Sequence, residues 1–149
     1  MITSKKVIQV LIDLTERHHG YLKPQIVVKA AEPSTSPLHR FFEWDDTKAG
    51  RAYRIWQARQ LLRQIYSYPI PTQPQQEVQV FASLPADRSR SEEGGYRLLT
   101  AVLSDAELRQ QLLKAALEEM ELFEKKYGLL KELAKLFAIS RSLREKYRT

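Results

Sequence analysis

From Ser104 onward the chain carries no proline, and its apolar side chains fall at alternating intervals of three and four. Leu113, Ala116, Met120, Phe123, Tyr127, Leu130, Ala134 and Phe137 form the series. A mean spacing of about 3.5 residues sets successive side chains on one face of a helix. Residues 104–149 are therefore expected to form a long amphipathic helix. Leu122, Leu129, Leu133 and Leu136 widen its stripe, and Glu118, Glu121, Glu124, Lys125, Lys131 and Lys135 flank it. Charged residues beside an apolar seam favour pairing with a second copy, so these eight seam positions are the candidate oligomerisation residues. The alternative is that the helix folds back on the rest of the chain. Ser104-Asp105-Ala106-Glu107 has the serine-to-glutamate spacing of a capping box. Gly128 is either tolerated inside the helix, at about 1 kcal/mol, or divides it in two.

The remaining 103 residues read as a separate body. Val7, Val10, Leu11 and Leu14 recur at helical spacing from Lys5 to about His18, with Ser4 placed to cap the start and Gly20 to end the helix in a left-handed residue. A second helix starts at Pro24, runs through Ala31, and is broken by Pro33-Ser34-Thr35-Ser36-Pro37. An aromatic stretch, Leu38 to Trp44, leads to Asp45 and Asp46, read as the cap and first turn of a third helix over Thr47–Ile65. Its apolar residues wrap more than one face, so periodicity isolates no single exposed surface. Pro69, Pro71 and Pro74 mark 67–75 as an extended linker. Glu77–Ala82 and Tyr96–Leu99 alternate as strands, predicting a hairpin whose tip of about 11 residues holds Arg88 and Arg90. The expected fold is mainly α with a small β-hairpin, α+β in class, with a winged-helix-like N-terminal body over 1–103 and the long helix over 104–149.

Composition narrows the function. Hydrophobic residues at 43% and charged residues at 28% belong to a folded chain, not a disordered one. The absence of cysteine excludes disulfides, a cysteine-ligated zinc and a thiol nucleophile. No apolar run approaches the roughly 18–20 residues of a membrane span, and the opening Met1–Lys6 leads into a mixed segment unlike a signal-peptide core. A soluble intracellular protein without membrane contact is expected. The formal net charge is +6 and the pI near 9.6. Residues 1–66 hold eleven Lys or Arg against six Asp or Glu, so the positive charge concentrates in the body. Phosphate binding is one consequence of such a field, and plain solubility the other.

Signals for catalysis are weak. The chain has no G-x-x-x-x-G-K-S/T loop, no G-x-G-x-x-G and no G-x-S-x-G elbow. His39, Glu43, Asp45 and Asp46 could together hold a hard metal that activates water, as in a metal nuclease. The simpler reading gives the aspartates to a helix cap and His39 to a turn. No enzyme activity, cofactor or metal is therefore expected. The order helix, helix, turn, helix, hairpin is that of a winged helix-turn-helix, which makes Lys48, Arg51, Arg54, Arg59 and Arg63 the candidate groove contacts and Arg88 and Arg90 the wing contacts. Against it stands a link of about 15 residues, Glu32 to Asp46, where three or four are usual. Phe41, Phe42, Trp44, Tyr53 and Trp56 would suit stacking on unpaired bases, yet at this density they read as core.

One resemblance adds to this. Pro24-Gln25-Ile26-Val27-Val28-Lys29-Ala30-Ala31, Ser36-Pro37-Leu38-His39, Phe42-Glu43-Trp44-Asp45-Asp46, Ala49, Tyr53-Arg54 and Gln57-Ala58-Arg59-Gln60-Leu61-Leu62-Arg63 together resemble a family of small, mostly uncharacterised proteins encoded by tailed bacteriophages and integrated elements. The Ser-Asp-capped C-terminal helix with Phe123, Tyr127 and Leu130 is similar to that family too. The resemblance implies a phage or prophage protein acting in a bacterial cytoplasm, and it implies no catalytic site. The expected function is non-enzymatic binding of DNA, duplex favoured, by a homo-oligomer, in packaging, replication, recombination or transcriptional control. A module that binds or inhibits host machinery, and a virion assembly or scaffolding protein, are the alternatives, each with a host or phage protein as partner.

Overall fold

The computed structural model describes residues 2, 4–48, 50–67, 76–88 and 94–148. Among these described residues the chain is mainly helical with two small antiparallel strand pairs, and it divides into two compact units, Met1–Ser104 and Asp105–Thr149.

In the first unit, helix α1 (Lys5–Arg17) turns Val7, Leu11 and Thr15 inward at intervals of four. Thr15 offsets the burial of its hydroxyl by donating to the Leu11 carbonyl at 2.7 Å. Ser4 holds the cap position in extended backbone, but its side chain makes no capping bond, contrary to expectation. The chain just before it is tied elsewhere, since Ile2 forms a parallel bridge with Ile65. The left-handed exit occurs at Gly20 (φ 80) and already at His19 (φ 57). Helix α2 (Pro24–Ala31) opens on the proline whose missing N–H costs nothing there and buries Val27, Val28 and Ala31. A 3₁₀ turn (His39–Phe41) then precedes α3 (Arg51–Arg63), which packs on α2.

Helix α3 starts later than the sequence suggested. Gly50 is its cap residue. Asp45 instead closes an Asx turn, accepting from the Thr47 amide at 2.9 Å and its hydroxyl at 2.6 Å. A short polar side chain that can bond two residues onward favours a turn over a helix start.

Residues 76–82 do not form one strand. β1 (Tyr66–Ser67) pairs with β2 (Val78–Gln79), and β3 (Phe81–Ala82) pairs with β4 (Arg97–Leu98), with Phe81 opposite Leu98. Val80 sits between the pairs, buried, its amide donating to the Ile65 carbonyl at 3.0 Å. Helix α4 (Pro85–Arg88) fills part of the expected wing loop, and the return strand stops at Leu98 because α5 (Leu99–Ser104) begins there. Of the linker expected over 67–75, Ser67 belongs to β1 instead, and 68–75 lie outside the described residues, as does Arg90. Val7, Leu11, Leu22, Val27, Leu38, Leu62, Ile65 and Phe81 belong to one core drawn from α1, α2, α3, β3 and the segments between them.

In the second unit, α6 (Ala106–Tyr127) is the long helix. Asp105, not Ser104, caps it, accepting from the Leu108 amide at 2.9 Å. Ser104 is the last residue of α5 and donates to the Ala101 carbonyl. Gly128 ends α6; a 3₁₀ turn (Lys131–Leu133) and α7 (Ala134–Lys146) follow, with α7 packed against α6. Of the two readings of Gly128, the break is the one adopted.

Candidate nucleic-acid interface

Helix α3 contains four arginines and no carboxylate. Its inner face is set by Ala58, Leu61 and Leu62, which pack into the core. A turn of about 100° per residue then directs Ala52, Tyr53, Trp56 and Arg63 outward, and all four are exposed. Tyr53 and Trp56, three apart, stack with ring centroids 5.6 Å apart and planes 12° apart. They remain 46% and 52% exposed. The aromatic cluster read as core therefore divides. Phe42 is buried and Phe41 and Trp44 pack against the core, whereas Tyr53 and Trp56 face outward.

The five candidate cations of this region have different surroundings. Lys48 and Arg51 are exposed at the start of the helix, Lys48 at 4.0 Å from Asp45. Arg63 is exposed at its end, and Arg59 is partly exposed between them. Arg51 and Arg63 lie about 18 Å apart along the axis at 1.5 Å per residue and about 120° apart around it. Arg54 differs. Its side chain is 17% exposed and donates to Asp46 at 2.7 Å, with the guanidinium 5.5 Å over the Trp44 ring. It binds the Glu43–Asp46 turn to α3 and serves as a positioning residue, not the groove contact expected of it. Gln57 assists by accepting from the Glu43 amide at 3.1 Å. Arg88 is exposed but donates to the Ser83 carbonyl at 2.7 Å, a tie within its own loop.

Beside Tyr53 a shallow cleft of about 350 Å³ is lined by Arg40, Phe41, Phe42, Glu43, Lys48 and Gln57. In the turn that follows, Asp45 has its carboxyl held below the usual carboxylate range by the Thr47 hydroxyl and then the Thr47 amide.

The four side chains whose chemistry suits a hard metal are each engaged elsewhere. His39 Nδ1 lies 2.9 Å from the Ala31 carbonyl, which can only accept, so that nitrogen carries the proton. The His39 ring stacks on Trp44 at 4.9 Å. Glu43 accepts from the Asp45 amide, and Asp46 is paired with Arg54. Among the described residues no group of three His, Asp or Glu is placed to hold a metal ion.

In the second unit the heptad series runs past the end of α6. Phe123 lies 4.8 Å from Tyr127 and 6.0 Å from Phe137, ring to ring, so the seam closes partly on itself across the turn. Phe137 is buried and unavailable as a seam residue toward a second copy, while Leu122, Leu130, Leu136, Ile139, Leu143 and Tyr147 are exposed and Leu129 is 98% so. Arg141 and Arg144 both donate to Glu124, fixing α7 on α6. The sequence did carry a signal for the outer surface of α7: Leu136, Ile139, Leu143 and Tyr147 recur at helical spacing, displaced from Phe137 and Ser140. Among the described residues no helix is long and apolar enough to cross a membrane.

Compared with known proteins, the chain matches no family model, no curated protein and no solved structure.

Proposed function

We propose that this is a non-enzymatic DNA-binding protein of phage or prophage origin, acting in the bacterial cytoplasm, which contacts nucleic acid through the outer face of α3. The observation that carries this reading is the charge of that helix: four arginines, no carboxylate, with Arg63 exposed on the outer face and Arg51 exposed at the helix start. Helix, helix, turn, helix and strand pair succeed one another in the order of a winged helix-turn-helix, which supports α3 as the contacting element. Self-association through Asp105–Thr149 accompanies it. No side chain of α6 is fully buried while several leucines of the unit stay exposed; a small helical unit with so little core gains stability by oligomerisation. Two copies on one DNA multiply weak phosphate contacts into useful avidity.

The test is fluorescence anisotropy with labelled DNA across a salt series. Arg59→Ala with Arg63→Ala weakens binding, and the slope of log affinity against log salt falls by up to about 2 if both contact duplex phosphates. An unchanged affinity and slope defeats the assignment. The exposed leucines of the second unit favour one other reading, a protein-binding module, which requires no DNA affinity at low salt and a stable protein partner.

A further inference from the structure

Resting on the nucleic-acid reading of α3, we propose that Tyr53 and Trp56 form a stacking platform for an unpaired base, so that the site takes single-stranded nucleic acid in preference to duplex. The platform is singled out by its exposure. Burying aromatic rings is among the largest apolar gains open to a fold, and this body uses it for Phe42, Phe41 and Trp44 only a few residues away. Tyr53 and Trp56 are left half in solvent on the same helix that supplies Leu61 and Leu62 to the core.

Their arrangement suits a base. The two planes are within 12° of parallel, so a base laid on the outer face of either ring extends an existing stack. Every base presents a π-face, which makes such a platform tolerant of sequence. In a duplex those faces are already covered by neighbouring base pairs, and only the ends offer one. The flanks suit a backbone. Arg59 and Arg63 follow Trp56 by one and two turns on the same side of the helix. Of the three nearby carboxylates, Asp46 is paired with Arg54, Asp45 has Lys48 at 4.0 Å, and Glu43 in the cleft accepts from the Asp45 amide. The cleft next to Tyr53 brings hydrogen-bonding side chains of Arg40, Lys48 and Gln57 beside the platform, where a base edge would lie. The duplex preference expected from a winged helix gives way here, because a large aromatic pair at the centre of the exposed face occupies the place where a recognition helix needs slim polar side chains to reach base edges.

The chain has two tryptophans, and only Trp56 stands on this face. The full-length protein is titrated with a 15-nucleotide oligo(dT) and with a duplex of the same length, reading both label anisotropy and tryptophan fluorescence. The expected result is at least tenfold tighter binding of the single strand, with quenching that disappears in Trp56→Phe while most of the affinity remains. Trp56→Ala lowers single-strand affinity about tenfold, within the range for loss of one stacked base, and lowers duplex affinity by much less, with the salt slope of both kept because no charge is removed. Because the side chain is half exposed, these variants do not disturb the core, and circular dichroism checks this. Binding of both forms alike, or tighter duplex binding, without quenching by the single strand overturns the platform while sparing DNA binding by α3. No binding of either form at low salt overturns both.

Discussion

Arg97 grips Asp87 with two nitrogens, Nη2 to Oδ1 at 2.8 Å and Nε to Oδ2 at 3.0 Å. Asp87 is 6% exposed, and its Oδ2 also accepts from the Leu84 amide at 3.3 Å. The guanidinium lies 5.1 Å over the Tyr21 ring. One ion pair thus fastens α4 to β4 and both to the segment entering α2. Removing one partner of a buried pair strands the other charge, at about 3–5 kcal/mol. Arg97→Met is therefore expected to lose most of that amount in urea unfolding. A loss below about 1 kcal/mol would mean that the pair behaves as a surface salt bridge.

Two glycines separate two kinds of constraint. A Cβ on Gly95 would fall inside the Tyr21 ring, whereas one on Gly20 meets nothing within 4 Å. Gly20 has φ +80, where an L side chain is strained. Gly95→Ala is expected to cost about 1–3 kcal/mol by overpacking and to displace Tyr21 from Arg97, visible as a shift of the Tyr21 ring resonances. Gly20→Ala costs about 1–2 kcal/mol through backbone conformation alone and leaves those resonances in place.

The helices of the first unit were legible because their signals are local. Pro24 and Gly20 act within one turn of themselves, and Val7 and Leu11 repeat at helical spacing. The start of α3 was not legible, since Asp45 serves a cap or an Asx turn equally well, and the choice depends on Arg54 reaching back to Asp46. The division of 77–82 between two strand pairs follows from a distant partner, Tyr66–Ser67. For the candidate site, the arginines of α3 could be read as a set, but the outward placement of Tyr53 and Trp56 could not. Apolar residues lie all round that helix, so only packing against α2 and the core decides which are covered. In the second unit the apolar repeat announced helices, while Phe137 folding back on Phe123 required knowing that Gly128 breaks the chain.

Self-association is predicted to depend on the exposed apolar surface of α7. Leu136→Glu with Ile139→Glu places charge on that surface without touching Phe137 or Ser140, the buried residues of the helix. Sedimentation analysis is expected to find the variant monomeric at concentrations where the parent chain is dimeric or larger, and truncation after Ser104 to do the same. Unchanged stoichiometry in both would assign assembly to the first unit.

The second unit is also expected to weaken in acid through Glu121. Lys125 donates to it at 2.8 Å, one turn on in the favourable orientation, and Arg144 lies at 3.6 Å. Lys125 above all, with smaller effects from Arg144 and Arg148, holds the Glu121 carboxyl below its ordinary value. A carboxyl whose pKa is lower folded than unfolded stabilises fully above the unfolded value and loses that stabilisation as pH falls through the folded one. Glu121→Gln removes the charge at every pH. Parent and variant should therefore melt alike in strong acid and diverge as pH rises past the ordinary carboxylate range, with the parent more stable. Because these groups are exposed, about 1 M salt should shrink the difference. A gap that persists unchanged at low pH, or that does not respond to salt, would place the effect in packing instead of charge.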